Sequence, residues 1–315
     1  MALMRHMKHK QVCFSMTQNE QVYIFISIII GVAIFSAALF IRVSQHDVPL
    51  RNAKPQVVTS FYPLYFFAKE IAGTYADVYN ITPAGAEPHD YEPTPNDVVK
   101  LETSNLVVVN GNLEPWIDKI SDELSTKHIP LIRAGANFIS LKDPHIWLSP
   151  PLAKKIVQLI ADNLILIDPV NKTYYQMKAN ELASKLQKLD TQFKEGLARC
   201  AQKDFVTSHT AFGYLATQYG LTQIGIAGLT PDAEPSTKEL ADVTSFVKKN
   251  NIKYIFFETL ASPKLSQTIA AEAGAQTSVL NPLEGLTPRE IAQGKNYFTE
   301  MAQNLANLRI ALQCQ

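Results

Sequence analysis

The chain has 315 residues, of which 46% are hydrophobic and 18% are charged, a composition typical of a globular protein of about two domains. Its 29 basic and 29 acidic residues give a formal net charge of zero, which excludes the basic surface of a nucleic-acid-binding protein. We therefore expect a small or locally bound partner.

The N-terminal segment is predicted to direct export rather than to join the fold. Residues 1–22 include Arg5 and Lys8, and an uncharged apolar run follows over residues 23–41. A run of this length can cross a bilayer as one transmembrane helix, and the basic flank keeps residues 1–22 in the cytoplasm. We predict an uncleaved membrane anchor at 23–41, with a cleaved signal segment as the alternative. Residues 42–55 form a polar spacer, and the chain beyond it is extracytoplasmic.

An N-terminal lobe is predicted over residues 56–169, where β-branched runs alternate with helical patterns. The predicted strands are 57–59, 78–81, 106–109 and 129–132. This alternation indicates a mainly parallel sheet covered by helices, in which ligands collect beyond the carboxyl ends of the strands. His89 follows the second predicted strand and His145 follows the fourth.

The loop that carries His89 is stiff. Prolines occupy positions 83, 88, 93 and 95, so this segment can be neither a helix nor an inner strand. A single loop histidine is more often an ordinary surface residue than a ligand. A role as metal ligand is favoured because two other histidines have similar surroundings: His145 lies between prolines, and His209 directly follows a predicted strand.

A long helix is predicted over residues 170–199, because apolar residues recur every three or four positions from Asn171 to Arg199. At 1.5 Å per residue it would be roughly 43 Å long. The alternative is the seam of a helical bundle, but a helix between two β–α series more naturally serves as a rigid strut joining two lobes.

A C-terminal lobe is predicted over residues 200–315. Its predicted strands are 205–208, 221–226, 254–257 and 278–280. His209 follows the first of these strands, and Glu284 follows the last. The expected fold class is therefore α/β, with two β–α lobes joined by one long helix and preceded by an N-terminal transmembrane helix.

Three histidines and one carboxylate thus follow predicted strands, two from each lobe. They are His89, His145, His209 and Glu284. Imidazoles with one carboxylate suit a tetrahedral zinc ion. Because four protein ligands leave no position open for a catalytic water, the set favours binding and carriage over hydrolysis, and we expect no enzyme.

Four motifs in the chain resemble those of one known family. They are GAEPHDYEP at 85–93, DPHIW at 143–147, SHTAFGYL at 208–215 and NPLEGL at 281–286. They are similar to motifs of the zinc-binding solute-binding proteins of metal ABC importers, the ZnuA/TroA-like class. The resemblance implies that His89, His145, His209 and Glu284 are the metal ligands.

The resemblance also implies a transported Zn²⁺ ion and, as partners, a cognate ABC permease with its ATPase. We expect a monomer that contacts the membrane through its N-terminal helix and binds no nucleic acid. Manganese-binding relatives usually carry a carboxylate at the third ligand position, so His209 favours zinc. Many zinc relatives have a histidine-rich loop before the second ligand, but residues 134–142 contain no histidine.

Other residues have supporting interpretations. Tyr62 and Trp147 are expected to wall the cleft, and Asp90 could orient an imidazole or remain solvated. Glu258 is expected beside the ligands or as a helix cap rather than on the metal. His128 is interpreted as a surface residue.

Cys200 and Cys314 are the only cysteines after the apolar run. In an oxidising compartment an even pair is a candidate disulfide, with two free thiols as the alternative.

Three other functions remain open. A manganese-binding homologue would use the same cleft. A zinc-dependent hydrolase would use Glu284 or Glu258 as general base and keep a vacant coordination position. In a cell-adhesion protein the metal would only stabilise the fold.

Overall fold

The fold is built on two parallel β-sheets in the part that the computed structural model describes, residues 53–136 and 143–315. The first sheet contains β1 (Gln56–Thr59), β2 (Asp77–Asn80), β3 (Leu106–Val109) and β4 (Leu131–Arg133), in the order β2-β1-β3-β4. The second contains β5 (Asp204–Thr207), β6 (Thr222–Gly225), β7 (Tyr254–Phe257) and β8 (Gln276–Val279), in the order β6-β5-β7-β8. All strand neighbours are parallel, which confirms the predicted α/β class.

Helices connect the strands and cover both sheets. In chain order they are α1 (Tyr62–Ala72), α2 (Pro95–Thr103), α3 (Ile117–Thr126), α4 (Pro150–Ile167), α5 (Lys172–Leu197), α6 (Gly213–Tyr219), α7 (Thr237–Lys249), α8 (Lys264–Ala273), α9 (Pro288–Ala292) and α10 (Tyr297–Ala311). Several begin with side-chain caps: Thr94, Ser236 and Thr287 each form a capping box with the acidic residue three positions later.

Strand β3 shows why the sheets are buried on both faces. Its sequence is apolar throughout, and all four of its residues are buried. Side chains alternate between faces, so Leu106 and Val108 enter the central core while Val107 and Val109 pack beneath α2 and α3. Each buried valine or leucine contributes about 1.5–3 kcal/mol relative to an exposed one.

One hydrophobic core runs through both sheets. Phe61 and Leu106, from the first half of the chain, belong to the same buried cluster as Phe205 and Phe256 from the second half. Residues Lys54–Gln315 accordingly form one compact unit. A shared core of close-packed side chains resists large relative movement of the two sheets.

The long helix α5 has 26 residues, close to the predicted extent, and is about 39 Å long. Its buried face is the predicted stripe: Tyr175, Ala179, Leu182, Leu186, Leu189, Phe193 and Leu197. These side chains lie in the same core as the two sheets. The helix is thus held along its whole length by the core.

A disulfide joins Cys200 to Cys314, in agreement with the predicted pairing. The bridge links the segment after α5 to the end of the chain. Backbone hydrogen bonds reinforce it, including one from Gln315 N to Arg199 O at 2.9 Å.

The predictions for residues 1–22, 23–41 and most of the spacer 42–55 lie outside the described residues. Within residues 53–136 and 143–315, no helix combines the length and hydrophobicity that a membrane crossing requires.

Candidate metal centre

The four predicted ligands come together at the carboxyl ends of the strands. His89 and His145 lie on the loops after β2 and β4, and His209 and Glu284 follow β5 and β8. Glu284 Oε1 lies 3.3 Å from His89 Nε2, 3.0 Å from His145 Nε2 and 3.3 Å from His209 Nε2. The Nε2 atoms of His145 and His209 are 3.4 Å apart. One ligand atom from each of the four residues lies within 4.8 Å of the others.

These separations fit a tetrahedral zinc ion. Zinc binds imidazole nitrogen and carboxylate oxygen at about 2.0–2.1 Å, so the edges of its ligand tetrahedron are about 3.3–3.4 Å long. Four of the six edges span 3.0 to 3.4 Å, and all six are below 4.8 Å. The side chains therefore need little movement to surround one ion.

His145 is held in a single orientation by Asp143. The backbone N–H of His145 and its Nδ1–H both donate to Asp143 Oδ1, at 2.9 and 2.7 Å. The Nδ1–H tautomer leaves Nε2 directed at the other ligands. Asn110 fixes the same loop from below, because its Nδ2 donates to Pro144 O at 2.8 Å.

His209 has an equivalent partner in Glu258, which follows β7. His209 Nδ1 donates to Glu258 Oε1 at 2.8 Å, and Ser208 Oγ donates to the same oxygen at 2.7 Å. The carbonyl of His209 accepts from Thr207 Oγ1 and Gln223 Nε2. Both the ring and the backbone of His209 are thereby fixed.

The loop that presents Glu284 is held in a strained conformation. Leu283 has a φ of 59°, in the left-handed region that favours glycine, although it is fully buried. Its N–H donates to Asn281 Oδ1 at 2.8 Å, and Trp147 Nε1 donates to Pro282 O at 2.7 Å. These contacts compensate for the strain and link the Glu284 loop to the His145 loop.

The charges of the ligands are coupled. Burial raises the pKa of Glu284, but hydrogen bonds from His145, His209 and His89 outweigh burial and hold it well below its usual value. Burial lowers the pKa of His145, yet hydrogen bonds to Asp143 and Glu284 raise it overall. For His209, burial is outweighed by hydrogen bonds to Glu258 and Glu284, which raise its pKa to about 10. A metal ion bound here would therefore displace protons from His145 and His209.

Three ligands are inaccessible to solvent, and His89 is the most exposed of the four. The exposed fractions of the side chains are 0% for His145 and Glu284, 1% for His209 and 6% for His89. The centre is therefore nearest to solvent on the side of the His89 loop.

Of the other residues predicted near the centre, Trp147 and Tyr62 lie close to it, whereas Asp90 is exposed. The Trp147 ring lies 5.2 Å from the His145 ring, and Tyr62 lines a cavity of about 370 Å³ that reaches Glu284. Asp90 is exposed, and a hydrogen bond to Asp232 raises its pKa. His128 lies in an exposed turn just after α3.

Two contributors were not singled out from the sequence. Asp143 stands two residues before His145. An Asp side chain in a turn commonly accepts a hydrogen bond from the backbone N–H two residues later, so this spacing could have predicted the contact. Asn110 follows β3 and contacts the His145 loop 34 residues later in the chain. A contact at that separation leaves no local pattern.

Comparisons with known proteins reveal close relatives. Residues 57–311 match the ZnuA family, described as "Zinc-uptake complex component A periplasmic". The chain is 42% identical over 279 residues to the zinc-binding lipoprotein AdcA of Streptococcus pneumoniae, covering 82% of this chain and 56% of AdcA. It is 40% identical over 283 residues to the high-affinity zinc uptake system protein ZnuA of Bacillus subtilis, covering 83% of this chain and 89% of that protein.

The fold is similar to a solved structure as well. The Zn(II)-bound ZnuA-like domain of Streptococcus pneumoniae AdcA superposes with a TM-score of 0.75 at 44% identity, covering 82% of this chain and 99% of that domain. The chain thus matches one domain of AdcA and spans little more than half of the whole AdcA protein.

Proposed function

The chain belongs to the ZnuA family of zinc-uptake components, and we propose that it captures Zn²⁺ outside the cytoplasm and delivers it to an ABC permease. In this role Zn²⁺ is the cargo, and the permease and its ATPase are the partners. His89, His145, His209 and Glu284 hold the ion, and Asp143 and Glu258 orient two of the imidazoles.

The observation that carries the proposal is the convergence of three imidazole nitrogens and one carboxylate oxygen at tetrahedral separations. This donor set prefers zinc to manganese, because manganese is better served by oxygen ligands and higher coordination numbers. Four protein ligands also complete the zinc coordination shell, whereas a hydrolase keeps one position for water. Binding and release are therefore favoured over catalysis.

We propose that residues 56–169 and 200–315 form two lobes joined by residues 170–199. Each lobe carries two of the four ligands. Because the core is continuous between the sheets, we expect only a small separation of the lobes on docking to the permease. A shift of about 1 Å is enough to break bonds of about 2 Å to a metal. Zinc can then be released without unfolding or wide opening.

The chain is proposed to act at the outer face of the cytoplasmic membrane or in the periplasm. Homologues described as lipoproteins or periplasmic components support an extracytoplasmic position. The apolar run at 23–41 is proposed to be the tether that keeps the protein beside its permease. A lipid performs the corresponding task in proteins described as lipoproteins.

A growth assay tests the proposed function. Cells that lack their own zinc-binding component but retain the permease and ATPase are given either the wild-type chain or His145→Ala, and are grown with limiting zinc. We expect the wild type to restore growth and His145→Ala to fail, with both recovering when zinc is added. Growth restored equally by both would contradict zinc delivery and favour an adhesin in which the metal is structural.

A further inference from the structure

Three carboxylates meet beside the four-ligand centre. Glu87 lies on the His89 loop, Glu258 follows β7 and Glu284 follows β8. One oxygen from each lies within 4.8 Å of the others. The exposed fractions of Glu258 and Glu284 are 2% and 1%, so two of the three groups are almost completely removed from water.

Each of these carboxylates uses one oxygen and leaves the other without a partner. Glu87 Oε1 accepts from His89 N at 3.3 Å, Glu258 Oε1 accepts from His209 Nδ1, and Glu284 Oε1 faces the imidazoles. The three Oε2 atoms are buried and have no hydrogen-bond donor in the described part of the chain. A buried carboxylate oxygen without a partner is costly, and the convergence of three such side chains points to a cation.

The side chains around the centre are rich in carboxylates. Four lie there: Glu87, Glu258, Glu284 and Asp143. Among the described ion pairs, the partner of Glu258 is His209, and none joins Glu87 to a lysine or arginine.

We propose that Glu87, Glu258 and Glu284 form a second divalent-cation site that shares Glu284 with the four-ligand centre. Glu284 bridges the two ions, with Oε1 on the first and Oε2 on the second, as in two-metal sites with ions about 3.5–4 Å apart. All protein ligands of the second site are oxygens, so this site takes a hard cation such as Mn²⁺, with water completing the coordination shell.

The test uses the full-length protein loaded with one equivalent of Zn²⁺. Mn²⁺ is then titrated, with free Mn²⁺ followed by electron paramagnetic resonance and released zinc followed by a chromophoric chelator. We expect one equivalent of Mn²⁺ to bind with a Kd on the order of 10⁻⁴ M, as in weak all-oxygen sites, without zinc release. Absence of Mn²⁺ binding, or Mn²⁺ binding only as zinc leaves, would overturn the proposal.

Matched variants locate the site. Glu87→Gln is expected to weaken Mn²⁺ binding at least tenfold while the first equivalent of zinc still binds. Glu92→Gln makes the same substitution in the same loop, at an exposed position paired with Lys119, and is expected to leave Mn²⁺ binding unchanged. Equal Mn²⁺ binding by wild type and Glu87→Gln would refute the assignment. If Glu87→Gln fails to fold, the wild-type titration alone decides.

The proposed function and the second site fail in different ways. Loss of binding of the first zinc equivalent by the wild-type protein would count against zinc capture. A normal first equivalent without the additional Mn²⁺ would remove only the second site.

Discussion

Replacement of Asp143 measures how much the orientation of one imidazole contributes to zinc affinity. Asp143 Oδ1 accepts both the backbone N–H and the Nδ1–H of His145, and the His145 side chain is fully buried. Asp143→Asn keeps an acceptor oxygen of the same shape but removes its charge. Asp143→Ala removes the acceptor and leaves the Nδ1–H without its partner.

The structure sets the expected size of these two effects. Partners that orient a metal-bound histidine are worth about 10- to 100-fold in metal affinity. We therefore expect zinc affinity to fall about tenfold in Asp143→Asn, near 1.4 kcal/mol, and about 100-fold in Asp143→Ala, near 2.8 kcal/mol. The order of the two variants follows from what each retains.

Competition with a zinc-binding dye of known affinity measures the effect, and circular dichroism checks the fold of each variant. Asp118→Asn is the matched control, because the Asp118 side chain is 80% exposed and pairs with Arg133. Its zinc affinity is expected to equal that of the wild type. If Asp143→Ala bound zinc as tightly as this control, the orienting role of Asp143 would be refuted.

Three further predictions concern the third ligand, pH and the disulfide. Replacing His209 by Asp exchanges an imidazole for a carboxylate, which suits manganese better than zinc. The ratio of manganese to zinc affinity, measured by competition, should therefore rise, and an unchanged ratio would contradict the proposed ligand role of His209. Because the pKa of His145 is raised and that of His209 is raised to about 10 in the metal-free protein, zinc displaces protons, and its affinity should fall steadily as the pH drops below about 10. Calorimetry in buffers of different ionisation enthalpy should detect proton release, and a pH-independent Kd would count against it. Replacing Cys200 and Cys314 by serine removes a bridge between residues 114 positions apart, so urea unfolding should show a loss of about 2–5 kcal/mol, with zinc affinity unchanged.

Local patterns predict most of the fold. The sequence predicts strand β3 with its observed bounds, because four apolar residues stand between polar ones. It also predicts α5, because seven apolar residues recur at intervals of three or four along one face of the helix. Helix α8 is missing from the prediction, because its buried stripe is short and consists only of Ser266, Ile269 and Ala270. The continuity of the core between the sheets depends on packing between distant residues and has no local signal.

The convergence of His89, His145, His209 and Glu284 could be predicted because each stands beyond the end of a strand, and parallel strands bring their carboxyl ends to one edge. What supports the ligands was harder to predict. The strained φ of Leu283 and the hydrogen bond from Trp147 to Pro282 are set by tertiary contacts between separate loops. Glu87 lies in the GAEPHDYEP motif, but its proximity to Glu258 and Glu284 depends on contacts between separate loops.

In the proposed centre, one zinc ion is enclosed by three imidazoles and one carboxylate. Zinc K-edge X-ray absorption of the protein loaded with one equivalent tests this coordination, because imidazole rings give a characteristic multiple-scattering signal. We predict four nitrogen or oxygen ligands at about 2.0–2.1 Å, with the scattering of three imidazoles. A spectrum with fewer than three imidazoles, or a six-coordinate shell of oxygens at longer distance, would contradict it.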